Sequence, residues 1–307
     1  MMLVPMLVTL VLGQTDPYVR SRVEAGNPGA HCLFWTVPTI TWQLSSVGNP
    51  RRTEEAQKPL DFAAIRKSFQ SWQQVFDGCG NLHFSEGPLV DDRNAGYELN
   101  GVNRNLVLFR SRNCVDVVDS TDKCWADDTC GNAHDCWDSD NHTIALTLTT
   151  YDEKSGIIYD SDIQLNAAGF IFTTEDPPAP TCSEPIPNNP AHCIATDVQN
   201  TMTHEIGHLI GLDHTLASGS VMYPRAPPGE TSKRTIDTGS RSFVCLTYPR
   251  GQASQSCVTP VLTTRGNSVL LGKEATGCSS TGEGAWVPSV LASALLVWRR
   301  RRGGARS

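Results

Sequence analysis

Eleven consecutive residues constrain this 307-residue chain more than any other stretch: His204-Glu205-Ile-Gly-His208-Leu-Ile-Gly211-Leu-Asp-His214. Residues four apart on an α-helix stand one turn apart on the same face, so His204 and His208 would offer two imidazoles to one ion. The stretch Thr196-Asp197-Val198-Gln199 reads as a capping-box start, which predicts a helix from about Asp197 to a stop at Gly211. Glycine accepts positive φ, so the chain can reverse at Gly211 and return His214 as a third ligand. Three nitrogens suit zinc and leave its fourth position for water, the open coordination of a catalytic site. Glu205 lies one step round the helix, close enough to meet such a water without ligating the metal. Reading these as three unrelated surface histidines requires the whole spacing to be accidental. The other histidines (31, 83, 134, 142 and 192) share no such spacing and read as structural or surface residues.

Around the motif, periodicity predicts a sheet with a long helix before it. Thr39 to Leu44 alternates as a half-buried strand does. Asp61 opens a helical pattern in which Phe62, Ile65, Phe69, Trp72, Val75 and Phe76 form one apolar stripe that Gly78 ends, a stripe suited to core packing. Strands are predicted at Asn81 to Phe84, Asn105 to Arg110, Thr143 to Thr150 and Gly156 to Leu165. Between Cys114 and His142 lies an insertion rich in Asp and Cys, read as a disulfide-stapled surface loop. The alternative there is calcium held by Asp127, Asp128, Asp138 and Asp140, although no EF-hand spacing occurs. Glu175 to Pro190 is a proline-rich loop.

Eleven cysteines are too many for a reduced cytosolic enzyme without a C-x2-C metal motif, so the chain reads as exported. Ten lie before residue 258 and form an even set for disulfides of open connectivity; Cys278 is left over. The formal charge of −7 already includes Arg299 to Arg302 and Arg306 near the end, so the body is more acidic still. That balance argues against nucleic acid as a partner.

Met1 to Gly13 is an apolar run too short to span a bilayer and ends in a Val11-x-Gly13 pattern, read as a signal peptide; a buried N-terminal strand is the alternative. At the other end Gly277-Cys278 precedes an apolar stretch, Ala285 to Trp298, and then the arginines. This layout resembles the myxobacterial C-terminal sorting tail, which implies anchoring at Cys278 to the bacterial surface or release from it. A plain membrane anchor is the other reading.

The long histidine motif, followed by Ser220-Val221-Met222-Tyr223-Pro224, resembles the metzincin clan of metalloproteases, and the Met-Tyr-Pro form resembles the matrixins. SFQSWQQVFDGCGNLHFSE and GIIYDSDIQLN resemble the matrixin first helix with its next strand, and the strand ahead of the active-site helix. The likeness runs from about Cys32 to Gly251. It implies an α+β, metzincin-like zincin domain: a twisted, mostly parallel sheet with an antiparallel edge strand, a long first helix, an active-site helix and a methionine turn. In that fold Met222 forms a hydrophobic floor under the zinc ligands. Extended polypeptide substrate lies antiparallel along the strand at Thr143 to Thr150.

Two features of the family are missing: the cysteine-switch segment ahead of the domain, and the histidine and aspartate segment that binds a structural zinc. Calcium at Asp160 or Asp162 and a hydrogen-bonding role for those residues both stay open. Asp213 reads as a solvent-facing turn residue or as one that orients an imidazole.

The expected layout is a signal peptide (1–13), a short mature segment (14–31), a catalytic domain (32–251), a linker (252–277) and a tail (278–307). The expected activity is a monomeric, zinc-dependent endopeptidase acting on extracellular proteins, with Glu205 as base. The alternative is an inactive, zinc-stabilised surface binding protein. Substrate-binding side chains, sought around Pro224 to Pro228, are not placed by sequence.

Overall fold

The alternation in TITWQL becomes a strand whose inward residues Ile40, Trp42 and Leu44 are all buried. In the computed structural model, which describes residues 18–49, 58–184, 186, 192–257 and 271–278, this strand is the second of ten. The signal peptide and the tail beyond Cys278 lie outside the described residues, as does most of the proline-rich loop's second half. Among the described residues no helix is long and apolar enough to cross a membrane.

In chain order the elements are β1 (Val19–Arg20), β2 (Thr39–Leu44), α1 (Lys58–Cys79), β3 (His83–Glu86) and β4 (Asn105–Arg110). Three short helices follow, α2 (Cys114–Val117), α3 (Cys124–Asp127) and α4 (Cys130–His134), then β5 (Ala145–Asp152), β6 (Ile158–Asn166), β7 (Phe172–Thr173) and β8 (Thr196–Asp197). The last group is α5 (Val198–Leu209), β9 (Leu212–Asp213), α6 (Thr238–Thr247) and β10 (Leu271–Thr276).

The main sheet has the order β10-β5-β6-β4-β2-β3. The pairs β2·β3, β2·β4 and β4·β6 are parallel, and β5 is antiparallel to β6, as the α+β reading expects. The antiparallel edge strand is present, but a segment outside the expected catalytic domain forms it. Residues 271–276, expected within a linker, form β10 and pair antiparallel along β5. Helix α1 starts at Lys58 rather than Asp61 and runs past Gly78 to Cys79, because a mid-helix glycine costs only about 1 kcal/mol and tertiary packing of the last turn outweighs it. Strand β3 is shifted two residues later than predicted, set by its register on β2 (Thr39 opposite His83).

The apolar stripe of α1 packs as predicted. Trp42 stacks on Phe69 at 3.9 Å between centroids, and Phe84 meets both Phe69 and Phe76 edge-on. Trp72, fully buried, sends its indole N–H to the Thr203 carbonyl at 2.8 Å, and Ser68 Oγ bonds the Gln199 carbonyl at 3.1 Å. Both contacts pin α1 to α5. A buried indole must satisfy its one donor, and here the partner is the backbone of the next helix.

All ten cysteines before residue 258 are paired: 32–257, 79–245, 114–136, 124–130 and 182–193. Cys278 is free and buried. Two of the bridges close the insertion on itself, and Arg110, fully buried on β4, ties it to the sheet through Asp135 (2.8 Å) and Asn132 (3.0 Å). The four aspartates considered for calcium do not meet: none of them belongs to any three-residue ligand cluster among the described residues. Asp138 accepts instead from Gly131 N, and Asp140 from His142 N.

Candidate metal centre

Helix α5 is capped by Asp197, whose side chain accepts from Asn200 N; Thr196, the predicted cap, is the last residue but one of β8 and β-paired to Phe172. Asp197 has a second role, because Arg234 clasps it through Nε at 2.8 Å and Nη2 at 2.5 Å. The helix is buried along almost its whole length. It stops where predicted. Gly211 adopts φ 96°, and a Cβ there would lie 2.5 Å from the Leu33 carbonyl oxygen, so both the reversal and the close approach require glycine.

After that reversal β9 pairs with β1, Val19 opposite Asp213, and delivers His214 to the helix. The three imidazoles converge. Nε2 of His204 is 3.1 Å from Nε2 of His208 and 3.2 Å from that of His214, and the His208–His214 separation is 3.2 Å. The outer nitrogens of two of them are occupied: His204 Nδ1 donates to the Val221 carbonyl at 2.6 Å and His208 Nδ1 to the Leu212 carbonyl at 2.8 Å. A carbonyl can only accept, so the proton sits on Nδ1 and the Nε2 lone pairs face one another. Burial drives all three pKa values below the ordinary histidine range, and for His204 and His208 a neighbouring imidazole of the cluster adds to the effect. Three neutral nitrogens with converging lone pairs, each pair 3.1–3.2 Å apart, match the spacing of about 3.3 Å that tetrahedral Zn–N bonds of about 2.0–2.1 Å require. The cluster can hold a metal ion, and the donor set fits zinc.

Glu205 is fully buried beside the cluster. Thr147 Oγ1, on β5, donates to its Oε2 at 2.7 Å, and Oε1 has no partner in hydrogen-bonding geometry. Burial pushes the Glu205 carboxyl up to about 8, with Thr147 and the approach of Cys278 pulling the other way. Thr147 was not singled out by the sequence. Its only signal was an inward position on a predicted strand.

Met222 is fully buried under α5. Gly207 makes room for it: a Cβ on Gly207 would stand 2.2 Å from Met222 Sδ. The segment carrying Met222 is fastened at both ends. Its carbonyl accepts from Thr215 N at 3.1 Å, while Asp237 Oδ2 accepts from Val221 N and Ser220 Oγ, both at 2.9 Å. Asp237 also caps α6 through Gly239 N and Ser240 N. Neither Asp237 nor α6 stood out in the sequence. Asp213, half-buried, accepts from the backbone N of His214 at 2.6 Å and so orients that residue's main chain rather than its ring.

The segment after Met222, where the substrate pocket was sought, folds back beneath α5. Lys233, almost fully buried, is held by Asn200 Oδ1 through its backbone N at 2.8 Å and by the Arg225 carbonyl and Glu230 through Nζ, each at 2.6 Å. Asp160 and Asp162, on β6, are buried as a pair. Asp162 accepts from the backbone N–H groups of Leu106 (2.7 Å), on β4, and Gly96, which gives it a hydrogen-bonding role in joining the loop at Gly96 to the sheet. A second three-residue cluster, Asp122, Cys124 and His134, lacks a free thiol because Cys124 is bridged to Cys130.

The matrixin family model matches residues 124–242, a stretch that contains the three histidines, Glu205 and Met222. No curated protein matches the chain. The family match supports a matrixin-like metzincin and, with it, a metalloprotease of a zinc-binding family that acts on polypeptides.

Proposed function

We propose that the chain is a zinc-dependent endopeptidase in which His204, His208 and His214 hold the metal and Glu205 is the catalytic base. The observation that carries this reading is the burial of an ionisable carboxylate directly beside three neutral imidazoles whose lone pairs face a common point. Purely structural zinc sites need no such base. When bound, zinc lowers the pKa of a water and polarises the scissile carbonyl.

The chain's own groups supply the remainder. Glu205 takes the proton of the attacking water and returns it to the departing amine; Thr147 holds Oε2 so that the free Oε1 faces the reacting atoms. Val221 and Leu212 fix the ring orientations of His204 and His208 through their carbonyls. Met222 forms the apolar floor that excludes water from beneath the ligands. Strand β5, once β10 leaves it, offers backbone groups for an extended substrate, a binding mode suited to unfolded or flexible polypeptide.

Five disulfides fit an extracellular workplace, and display on a bacterial surface through the tail, or release from it, completes the reading. The test is the full chain purified without metal, reloaded with zinc and offered an unfolded protein. One zinc per chain is expected, with hydrolysis that chelation stops and that falls by about 10²–10⁴-fold in Glu205→Gln. Chelator-insensitive cleavage, or equal rates in the variant, would refute it.

A further inference from the structure

The strand that covers β5 belongs to the same chain and continues into the metal centre. β10 runs antiparallel to β5 with Thr276 opposite Thr147, the residue that bonds Glu205. Beyond it, the Cys278 carbonyl accepts from Ile144 N at 2.9 Å, which extends the pairing past the end of β5. The Gly277 backbone carbonyl lies at His214, and the Cys278 backbone N–H faces the Glu205 carboxylate. The Cys278 side chain is buried in the main core, its thiol within 4.8 Å of ligand atoms of His204 and Glu205.

These contacts single out one peptide bond. Gly277–Cys278 has its carbonyl end at the imidazole cluster and its nitrogen at the group assigned as the base, in a strand laid along β5 as an extended peptide would lie. The residue on the carbonyl side is also sterically specified, since a Cβ at Gly277 would fall 2.0 Å from the Ala145 carbonyl oxygen. That neighbour is strand backbone and cannot step aside.

From this geometry we infer that residues 271–278 are a substrate of the site in the same molecule, cut between Gly277 and Cys278, and that the site admits only glycine on the carbonyl side of the bond it cuts. The inference rests on the peptidase reading. Water adds its oxygen to the Gly277 carbonyl carbon, the bond from that carbon to the Cys278 nitrogen breaks, and the proton given up by water passes through Glu205 to that nitrogen. The products are a carboxylate at Gly277 and an amine at Cys278. Until release, the strand also keeps other polypeptides off β5.

The full chain, purified without metal and then given zinc over a range of protein concentrations, tests this by intact mass. The expected result is one break, after Gly277, at a rate independent of concentration, absent in Glu205→Gln and slower by about a hundredfold in Gly277→Ala, where the reacting bond is displaced. A second readout needs neither zinc nor turnover: the Cys278 thiol of the metal-free wild type should react with a disulfide reagent far more slowly than that of Gly277→Ala. If an added unfolded protein is digested while the chain stays whole, is cut elsewhere, or is cut at a rate that rises with concentration, the inference falls and the peptidase reading stands. Equal thiol reactivity in the two metal-free proteins would also overturn the inference. If neither the chain nor the added protein is cut, it is the peptidase reading that fails.

Discussion

The Val221 carbonyl accepts a hydrogen bond from His204 Nδ1 at 2.6 Å, and so the ring that would bind metal is aimed by the residue preceding the buried methionine. Val221 is itself fixed through its N–H by Asp237, so an acidic residue that never touches the imidazoles sets the angle of one of them. Burial alone would raise the Asp237 pKa, but hydrogen bonds from Val221, Ser240 and Ser220 outweigh it and hold the carboxyl below its ordinary value. Asp237→Ala should therefore weaken metal affinity by about 10–100-fold, the usual cost of losing a partner one step behind a ligand. Competition with a chromogenic chelator reads it. Asp237→Asn keeps an acceptor for the α6 cap and should recover part of the loss, whereas unchanged affinity in the alanine variant would show that Val221 needs no anchor.

Thr147→Val removes the hydroxyl that holds Glu205 Oε2 while keeping the shape of the side chain. A buried carboxylate that loses its donor is both less well aimed and harder to ionise. The expected change is a fall in kcat of about tenfold, within the contribution general bases make, with KM nearly constant because Thr147 offers substrate only its backbone. A loss confined to KM would mean that the hydroxyl contacts substrate instead.

How far the sequence reaches is visible in these same residues. His204, Glu205, His208 and Gly211 were legible because helical spacing and a glycine stop are local properties, and β2 and β4 appear with the predicted bounds because alternation is local too. Thr147 and Asp237 act across 58 and 16 residues of chain, on Glu205 and Val221, and no periodicity records such a pairing. Helix α6 begins Thr-Gly-Ser-Arg-Ser, weak helix formers apart from Arg241, and is held by its Asp237 cap, by buried Phe243 and Val244 and by the 79–245 bridge. Strand β10 (LGKEAT) has little intrinsic strand character and acquires it by pairing with β5. The insertion read as an irregular loop contains three one-turn helices, too short for any helical period to show.

Gly207→Ala weighs two opposed effects. An alanine in a helix interior is worth up to about 1 kcal/mol over glycine, but its Cβ would lie 2.2 Å from Met222 Sδ, so the buried methionine would have to shift. Overpacking of that kind costs about 1–3 kcal/mol, so the net expectation is a loss of about 1–2 kcal/mol in denaturant unfolding. The loss should shrink in a Gly207→Ala, Met222→Ala double variant relative to Met222→Ala alone. Simple additivity would mean that the two residues do not press on each other.

The buried pair Asp160 and Asp162 contributes stability that is lost as pH rises. Burial, then the Asp162 charge and a hydrogen bond to Asp162, push the Asp160 carboxyl up to about 9. Burial also lifts Asp162, to about 6, against the backbone N–H groups of Gly96 and Leu106 that favour its charged form. Asp162 is therefore the partner that ionises first, and Asp160 keeps a proton through neutrality. Both folded-state values lie above the unfolded aspartate value of about 3.9, so the folded chain holds more protons than the unfolded one. The stability present below about pH 4 is lost as pH climbs, first through the Asp162 step and then toward the Asp160 value near 9. Asn at 160 resembles the protonated acid in shape and can still donate to Asp162. Urea unfolding of Asp160→Asn, measured from pH 5 to pH 9, should accordingly lose most of the decline above neutrality that the wild type shows. An Asp160→Asn decline above neutrality as steep as that of the wild type would place the responsible titration at another group.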